Sequence, residues 1–278
     1  MTGGPLATAI VSARNEERHI AECLGSLEAQ TWRPLEIIVV DDGSSDRTAE
    51  IARSFGSVRL ISGPHRGKAR SVNGAAEQAG GEVLLFLDGD LVLEATYVER
   101  LVEPILSGQC VGTAHTNERV ANPANAWAAC YQAKAGLPPD RRLALSAAEL
   151  AEGSIVFRAV RASEFRRVGG FDDIGYLDDQ TLCPKLGVRA RWVSETGCSH
   201  YNPETLGEVY AAGVWAAHSI AHLHGPRAIW HYQPLRSVPR ALGDARTKRR
   251  PSLAVYDVVY DAGVCRGLLA RLLSSRRP

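Results

Sequence analysis

The chain has 278 residues, of which 45% are hydrophobic and 23% charged, and its net charge is +1. This length and balance exclude a mostly disordered chain and leave enough apolar residue for a sizeable core. Near-neutrality excludes a generic nucleic-acid binder, but the charge is uneven: Arg236 to Pro278 carries ten Lys+Arg against three Asp+Glu, which leaves the remainder at −6.

The first half alternates strand and helix patterns. Leu6–Ala13 is an apolar run expected of a buried parallel strand. Asn15-Glu16-Glu17 suits a helix start, and Ile20, Cys23, Leu24 and Leu27 then recur at i, i+3, i+4, i+7. Leu35–Val40 is a second buried strand, running into Asp41-Asp42-Gly43-Ser44-Ser45-Asp46, a turn rich in capping residues. A helix is predicted to about Phe55, a strand near Val58–Ile61, and a helix from Lys68 to Ala79. Val83–Leu87 is the most apolar strand and ends in Asp88-Gly89-Asp90; Val98, Leu101, Val102 and Ile105 mark the next helix. Such alternation predicts an α/β fold whose mostly parallel sheet is covered on both faces, with ligands at the carboxyl ends of its strands. Ser12–Asn15, Asp41-Asp42 and Asp88–Asp90 all fall at such ends.

The second half is less regular. Gly136–Ser146 reads as a loop, Gly153–Ala159 as a strand, Gly169–Asp173 as a turn, Leu177–Gln180 as a short helix, and Arg189–Val193 as a strand. Glu204–Leu223 reads as a helix, Pro226–Pro251 as a proline- and arginine-rich connector, and Leu253–Leu273 as a final helix. The six cysteines form no Cys-x-x-Cys pair, which predicts reduced thiols, a cytoplasmic setting and no zinc site. Met1–Leu6 lacks the features of a signal peptide. No apolar stretch reaches membrane-spanning length; Val209–Leu223, with His218 and His222, reads as a buried helix.

Asp88-Gly89-Asp90 offers two carboxylates one residue apart at a strand end, a donor set for Mg²⁺ or Mn²⁺ bridged to phosphate; the plainer reading is an acidic turn. Glycine between them would let the backbone approach a ligand. Asp42 is placed to accept from a base or ribose, with Ser44 or Ser45 capping the following helix. Neither a dinucleotide glycine fingerprint nor a Walker loop is present, so phosphate would be held by metal and cations.

Several motifs together are more specific. Ile10-Val11-Ser12-Ala13-Arg14-Asn15-Glu16-Glu17 and Ile37–Asp46 resemble the start of family 2 glycosyltransferases with the GT-A fold. Gly67-Lys68-Ala69-Arg70 through Asn73, Gly81 through Asp90, and Val168-Gly169-Gly170-Phe171-Asp172 followed by Asp178-Asp179 continue that pattern in order, over roughly residues 6–225. The resemblance implies a GT-A domain at 1–225, with a nucleotide-sugar-binding half at 1–107 and an acceptor and catalytic-base half at 108–225. Residues 226–278 form a basic connector and amphipathic helix.

The resemblance also implies a nucleotide-diphosphate sugar as donor, Mn²⁺ or Mg²⁺ as cofactor, and inversion at the anomeric carbon. Ser12, Arg14 and Glu16 would line the nucleotide pocket, Asp42 would bind the base, and Lys68 would lie near the phosphates. Asp90 would bind the metal, with Asp88 contacting ribose, metal or metal-bound water and His200 as a further ligand. The catalytic base falls on Asp179, beside Asp178, where many relatives have Glu-Asp. The Gln-x-x-Arg-Trp motif of processive synthases has only Trp215 as its counterpart, in Ala211–Trp215, which argues for single-sugar transfer. Two rivals are a sugar-1-phosphate nucleotidyltransferase and a degenerate domain that binds without turnover. In the final helix, Leu253, Tyr256, Tyr260, Val264, Leu268 and Leu272 recur near helical spacing, with Arg266, Arg271, Arg276 and Arg277 around them. That helix either packs on the body or gives peripheral membrane contact, in which case a lipid-linked acceptor is favoured over a soluble sugar.

Overall fold

A computed structural model describes residues 4–175 and 177–274. In chain order the elements are β1 (Ala7–Ala13), α1 (Ile20–Glu28), β2 (Leu35–Asp42), α2 (Thr48–Ser54), β3 (Val58–Gly63), α3 (Lys68–Gln78), β4 (Val83–Asp88), β5 (Leu91–Leu93), α4 (Tyr97–Leu106), β6 (Gly112–Val120), α5 (Ala126–Ala135) and α6 (Ala147–Glu152). There follow β7 (Ala159–Arg161), α7 (Ala162–Arg167), a 3₁₀ turn at Asp178–Thr181, α8 (Leu182–Leu186), β8 (Arg191–His200) and α9 (Leu206–His224). A second 3₁₀ turn at Pro226–Ala228 leads to α10 (Ile229–Tyr232), α11 (Pro234–Thr247) and α12 (Ser252–Ser274).

Among the described residues eight strands form one sheet in the order β3-β2-β1-β4-β7-β6-β8-β5. The four strands β3, β2, β1 and β4 are parallel, and β7 pairs antiparallel to β4 and β6, as β5 does to β8. The period of two along a strand sorts side chains between two cores. Ala7, Ala9 and Val11 of β1, with Val83, Leu85 and Leu87 of β4, join α1 and α4 on one side. Ile10, Leu84 and Phe86 join α3 and α7 on the other. This double burial is why the strands read as continuous apolar runs.

Contacts divide the described chain into two compact units. The first comprises residues 4–119, 143–173 and 178–200, and the second 120–142, 174–177 and 201–274, without Tyr176. The second unit is helical. Its α9 and α12 touch backbone to backbone: a Cβ on Gly213 would collide with the carbonyl oxygen of Tyr260, and one on Gly263 with that of Tyr210. Leu253, Tyr256, Val264 and Leu268 of α12 are buried there. The apolar face read as either packed or membrane-bound is therefore largely packed; Arg276 and Arg277 lie outside the described residues.

Two sequence expectations are corrected. The strand expected over Gly153–Ala159 begins only at Ala159, because residues 153–158 carry a single bridge, Ser154 to Ala190. The connector expected over Pro226–Pro251 is mostly helical: Pro234 opens α11 at a first-turn position where its missing N–H costs nothing. Strand β6 and helices α5 and α7 were not legible as elements. All six cysteines are free.

Candidate active site

The site is built at the carboxyl ends of β1, β2 and β4, within the first unit. Asp88 closes β4, where β1 pairs with it through Ser12. The Ser12 hydroxyl lies 3.3 Å from Asp88 Oδ1 and 3.4 Å from the Leu87 carbonyl. Lys68, at the start of α3, donates from Nζ to Asp88 Oδ1, while Arg158 Nη1 stands 3.5 Å from Oδ2. Burial alone would favour the neutral carboxyl, but Lys68 and Arg158 outweigh it and hold Asp88 well below the usual carboxylate range. Burial likewise opposes the Lys68 ammonium, and the Asp88, Asp178 and Asp179 carboxylates keep it protonated.

Asp178 and Asp179 stand on the 3₁₀ turn and line one cavity with Ser12, Lys68, Asp88 and Arg158. Burial pushes Asp178 up to about 6; Lys68 offsets this in part, and the Asp179 and Asp88 charges add to it. Asp179 is raised for the same first reason, against Arg158 and Lys68. The approach to this turn is clamped: Asn73 of α3 donates to the Phe171 carbonyl at 2.9 Å and accepts from the Phe171 N–H at 3.0 Å. Gly170, at φ +69°, runs so close to Asn73 that a Cβ would overlap its amide. Phe171 also packs edge-on against Phe86 of β4, with ring centroids 4.8 Å apart. The separate sequence motifs around Asn73, Phe86 and Gly169-Gly170-Phe171 therefore meet in one contact.

Asp90 follows the turn and faces His200 at the end of β8, with Oδ2 3.2 Å from Nε2. His200 Nδ1 is 2.6 Å from Glu118 Oε1. The other oxygen of Glu118 is 3.0 Å from His115 Nε2 and 4.0 Å from Arg158 Nη2, and His115 Nδ1 is 2.7 Å from the Tyr97 hydroxyl. A buried network thus runs from Asp90 through His200, Glu118 and Arg158 to Asp88. Burial opposes charge on Glu118, but the hydrogen bonds from His115 and His200 and the nearby cation hold it well below its ordinary value. Burial lowers His115.

The remaining expected residues, Asp42, Arg14 and Glu16, do not line that cavity. Asp42 is buried at the end of β2 and accepts from the Ser71 hydroxyl (2.8 Å) and the N–H groups of Arg66 (2.8 Å) and Gly67 (3.1 Å), with His65 Nδ1 at 2.7 Å. These donors occupy the carboxylate's acceptor positions, so Asp42 fastens the segment from His65 to Ser71 beside the site. Burial would raise Asp42, but those bonds outweigh it and lower the carboxyl. Arg14 is exposed on the loop after β1, and Glu16 is half-buried beside Gly89. Gly89 therefore makes room for protein rather than ligand: a Cβ there would press on Ala13, Glu16 and Ile20 at 3.3 Å. Ahead of α2 the Asp46 carboxylate accepts from the Thr48 N–H at 3.0 Å, while Ser44 and Ser45 bond to Asn15 and do not cap the helix.

Sequence reasoning missed Arg158, Glu118 and His115. Each sits outside a recognisable motif, and the one available signal was Arg158 inside the strand-like run Gly153–Ala159.

Residues 8–160 match the family described as Glycosyl transferase family 2, rather more than half of the chain. The chain belongs to that family. Glycosyltransferase AglE of Haloferax volcanii is 36% identical over 108 residues, which is 36% of this chain and 36% of that protein. The chain thus spans about a third of that relative's length. Among solved structures, the mannosyltransferase PcManGT from Pyrobaculum calidifontis in complex with GDP-Man and Mn²⁺ superposes with a TM-score of 0.55 at 19% identity, covering 99% of this chain and 89% of that one. Staphylococcus aureus TarS 1–349 in complex with UDP-GlcNAc gives 0.54 at 17% identity, covering 97% and 92%. The GT-A fold expected of this family 2 glycosyltransferase is the fold observed.

Proposed function

We propose that this chain transfers a sugar from a nucleotide-diphosphate sugar to an acceptor hydroxyl, with inversion, one sugar per encounter. The observation that carries the reading is the single cavity that gathers Asp178 and Asp179 with Lys68, Asp88 and Arg158 at the strand ends. Two cations facing two carboxylates at a raised pKa divide the labour such a reaction needs. Lys68 and Arg158, held by Asp88, supply fixed positive charge for a departing diphosphate. Asp179 accepts the proton of the attacking hydroxyl, and its raised pKa makes it a stronger base than an exposed aspartate. A base on the face opposite the leaving group gives in-line displacement. Asp178 sets the field around Asp179. The Asp42-fastened segment and Ser12, Arg14 and Glu16 form the nucleotide wall, where a base contact by Asp42 would replace one of its present bonds.

Asp90 and His200 fit a divalent ion of the Mn²⁺ or Mg²⁺ type: a carboxylate and an imidazole nitrogen stand 3.2 Å apart. Among the described residues no group of three or more His, Cys, Asp or Glu could hold a metal. Two protein donors suit an ion that completes its shell with diphosphate oxygens and water. When bound, it would neutralise charge on the leaving group as a Lewis acid. The presence of GDP-Man with Mn²⁺, and of UDP-GlcNAc, in structures of the same fold supports a nucleotide-sugar donor and a metal.

Asp179→Asn is the direct test. Transfer to acceptor should fall about 10²–10⁴-fold, the usual worth of general-base catalysis, while calorimetry should show nucleotide binding little changed. Undiminished transfer would remove Asp179 from the mechanism. Loss of nucleotide binding along with transfer would move it into the donor site.

A further inference from the structure

Helix α11 is built inside out. It buries Ser237, Ala241 and Ala245, a stripe of small residues at i, i+4, i+8. The neighbouring stripe, Leu235, Val238 and Leu242 at i, i+3, i+7, is 83%, 41% and 59% exposed. Just upstream in α10, Trp230 is 62% exposed. A soluble helix places its large aliphatic residues the other way round. Scattered exposed leucines need no explanation, but an apolar stripe led by an exposed tryptophan on consecutive short helices does.

The charge around the stripe indicates what covers it. Residues 226–251 hold seven Lys+Arg and a single acid, Asp244. Arg227, Arg236, Arg246, Lys248 and Arg249 are exposed. Among the described residues, the one arginine of α11 with an acidic partner is Arg240, which is bound to buried Asp261 and is spent on packing. An apolar stripe fringed with arginine, with tryptophan beside it, complements a surface that is apolar beneath and anionic above. A protein partner of similar chemistry would need acids placed opposite each arginine, whereas a lipid headgroup layer supplies negative charge wherever the arginines fall.

We propose that α10 and α11 form a docking face for an anionic bilayer surface, with Trp230, Leu235, Val238 and Leu242 inserted at the headgroup–acyl boundary and Arg227, Arg236, Arg246 and Arg249 at the phosphate level. This mode lies on the surface; no helix among the described residues is long and apolar enough to cross a membrane. It differs from membrane contact by the final helix, whose main apolar face is packed. It does not depend on the transfer reading, because docking needs neither donor nor base.

The test is flotation of the purified full chain with vesicles of phosphatidylcholine, with and without about 30% phosphatidylglycerol, since the basic fringe should require anionic lipid. Binding should appear with phosphatidylglycerol, be weak on phosphatidylcholine alone, and weaken severalfold at ~0.5 M salt, where the Debye length shrinks. The triple variant Leu235→Ser, Val238→Ser, Leu242→Ser should lose about tenfold or more in vesicle affinity. These side chains are exposed, so its unfolding midpoint should be unchanged, and Trp230→Ala should weaken binding with an intact fold. Equal vesicle binding by the triple variant, or none by the wild type, overturns the proposal. A wild-type dimer in sedimentation that the triple variant abolishes, with no vesicle binding, overturns it in favour of a second copy of this chain.

Discussion

Asp178 carries its proton at higher pH in the folded protein than in the unfolded chain, about 6 against an ordinary value near 4. Its ionised form therefore costs stability, in full above about pH 6 and not at all below about pH 4. Asp178→Asn should raise the free energy of unfolding by about 2–3 kcal/mol at pH 8, with the gain vanishing near pH 4, as measured in urea. Such a gain is the pattern of a site that gives up stability for chemistry. Glu118 lies at the opposite extreme. It is buried and pairs with His115, His200 and Arg158, so Glu118→Ala would remove the carboxylate that these three side chains share. That variant should lose about 3–5 kcal/mol, with Glu118→Gln in between, by the same urea measurement. Asp178 was legible from its neighbour Asp179 and the preceding Gly-Gly-Phe-Asp. Glu118 was not: His115 is three residues before it on the same strand, but its other partners, His200 of β8 and Arg158, are distant along the chain.

Among elements, periodicity sufficed where burial is uniform. Helix α1 buries Ile20, Cys23, Leu24 and Leu27, the four positions its spacing picked out. Strand β6 escaped because its sequence, Gly-Thr-Ala-His-Thr-Asn-Glu-Arg-Val, buries His115 and Glu118 in place of aliphatics. A buried polar network looks like solvent exposure to a pattern based on hydrophobicity. Helix α12 was legible as a helix but not as the partner of α9. Their joint depends on Gly213 and Gly263, each against the other helix's carbonyl oxygen. Gly263→Ala should force the helices apart and cost about 1–3 kcal/mol, read as a lower unfolding midpoint, although alanine is the better helix former. An unchanged or raised midpoint would show that the joint yields at no cost.

At the scale of the whole molecule, the proposed donor should act as a stabiliser. A nucleoside diphosphate at ~100 times its dissociation constant adds about 2.7 kcal/mol to the folded state. One nucleotide should raise the midpoint in the presence of Mn²⁺, and Asp90→Ala should remove the Mn²⁺-dependent part of that shift. A shift indifferent to both Mn²⁺ and Asp90 would detach the acidic turn from donor binding.

The amino-acid sequence by itself determined the layered α/β core and the family, and it pointed to the ends of β1, β2 and β4 as the candidate site. The core and the strand ends rest on local periodicity and on carboxylates adjacent to apolar runs, and the family on short motifs in order, all properties of neighbours along the chain. Tertiary structure alone decided that Asp88 sits between Lys68 and Arg158, that Glu118 backs His200, and that Asp42 fastens a loop. It also decided that α11 turns its leucines outward, which its proline- and arginine-rich composition concealed. Each of these is a pairing across distant segments or a choice of which face to bury. Such choices are made by packing, after local preference has already been satisfied.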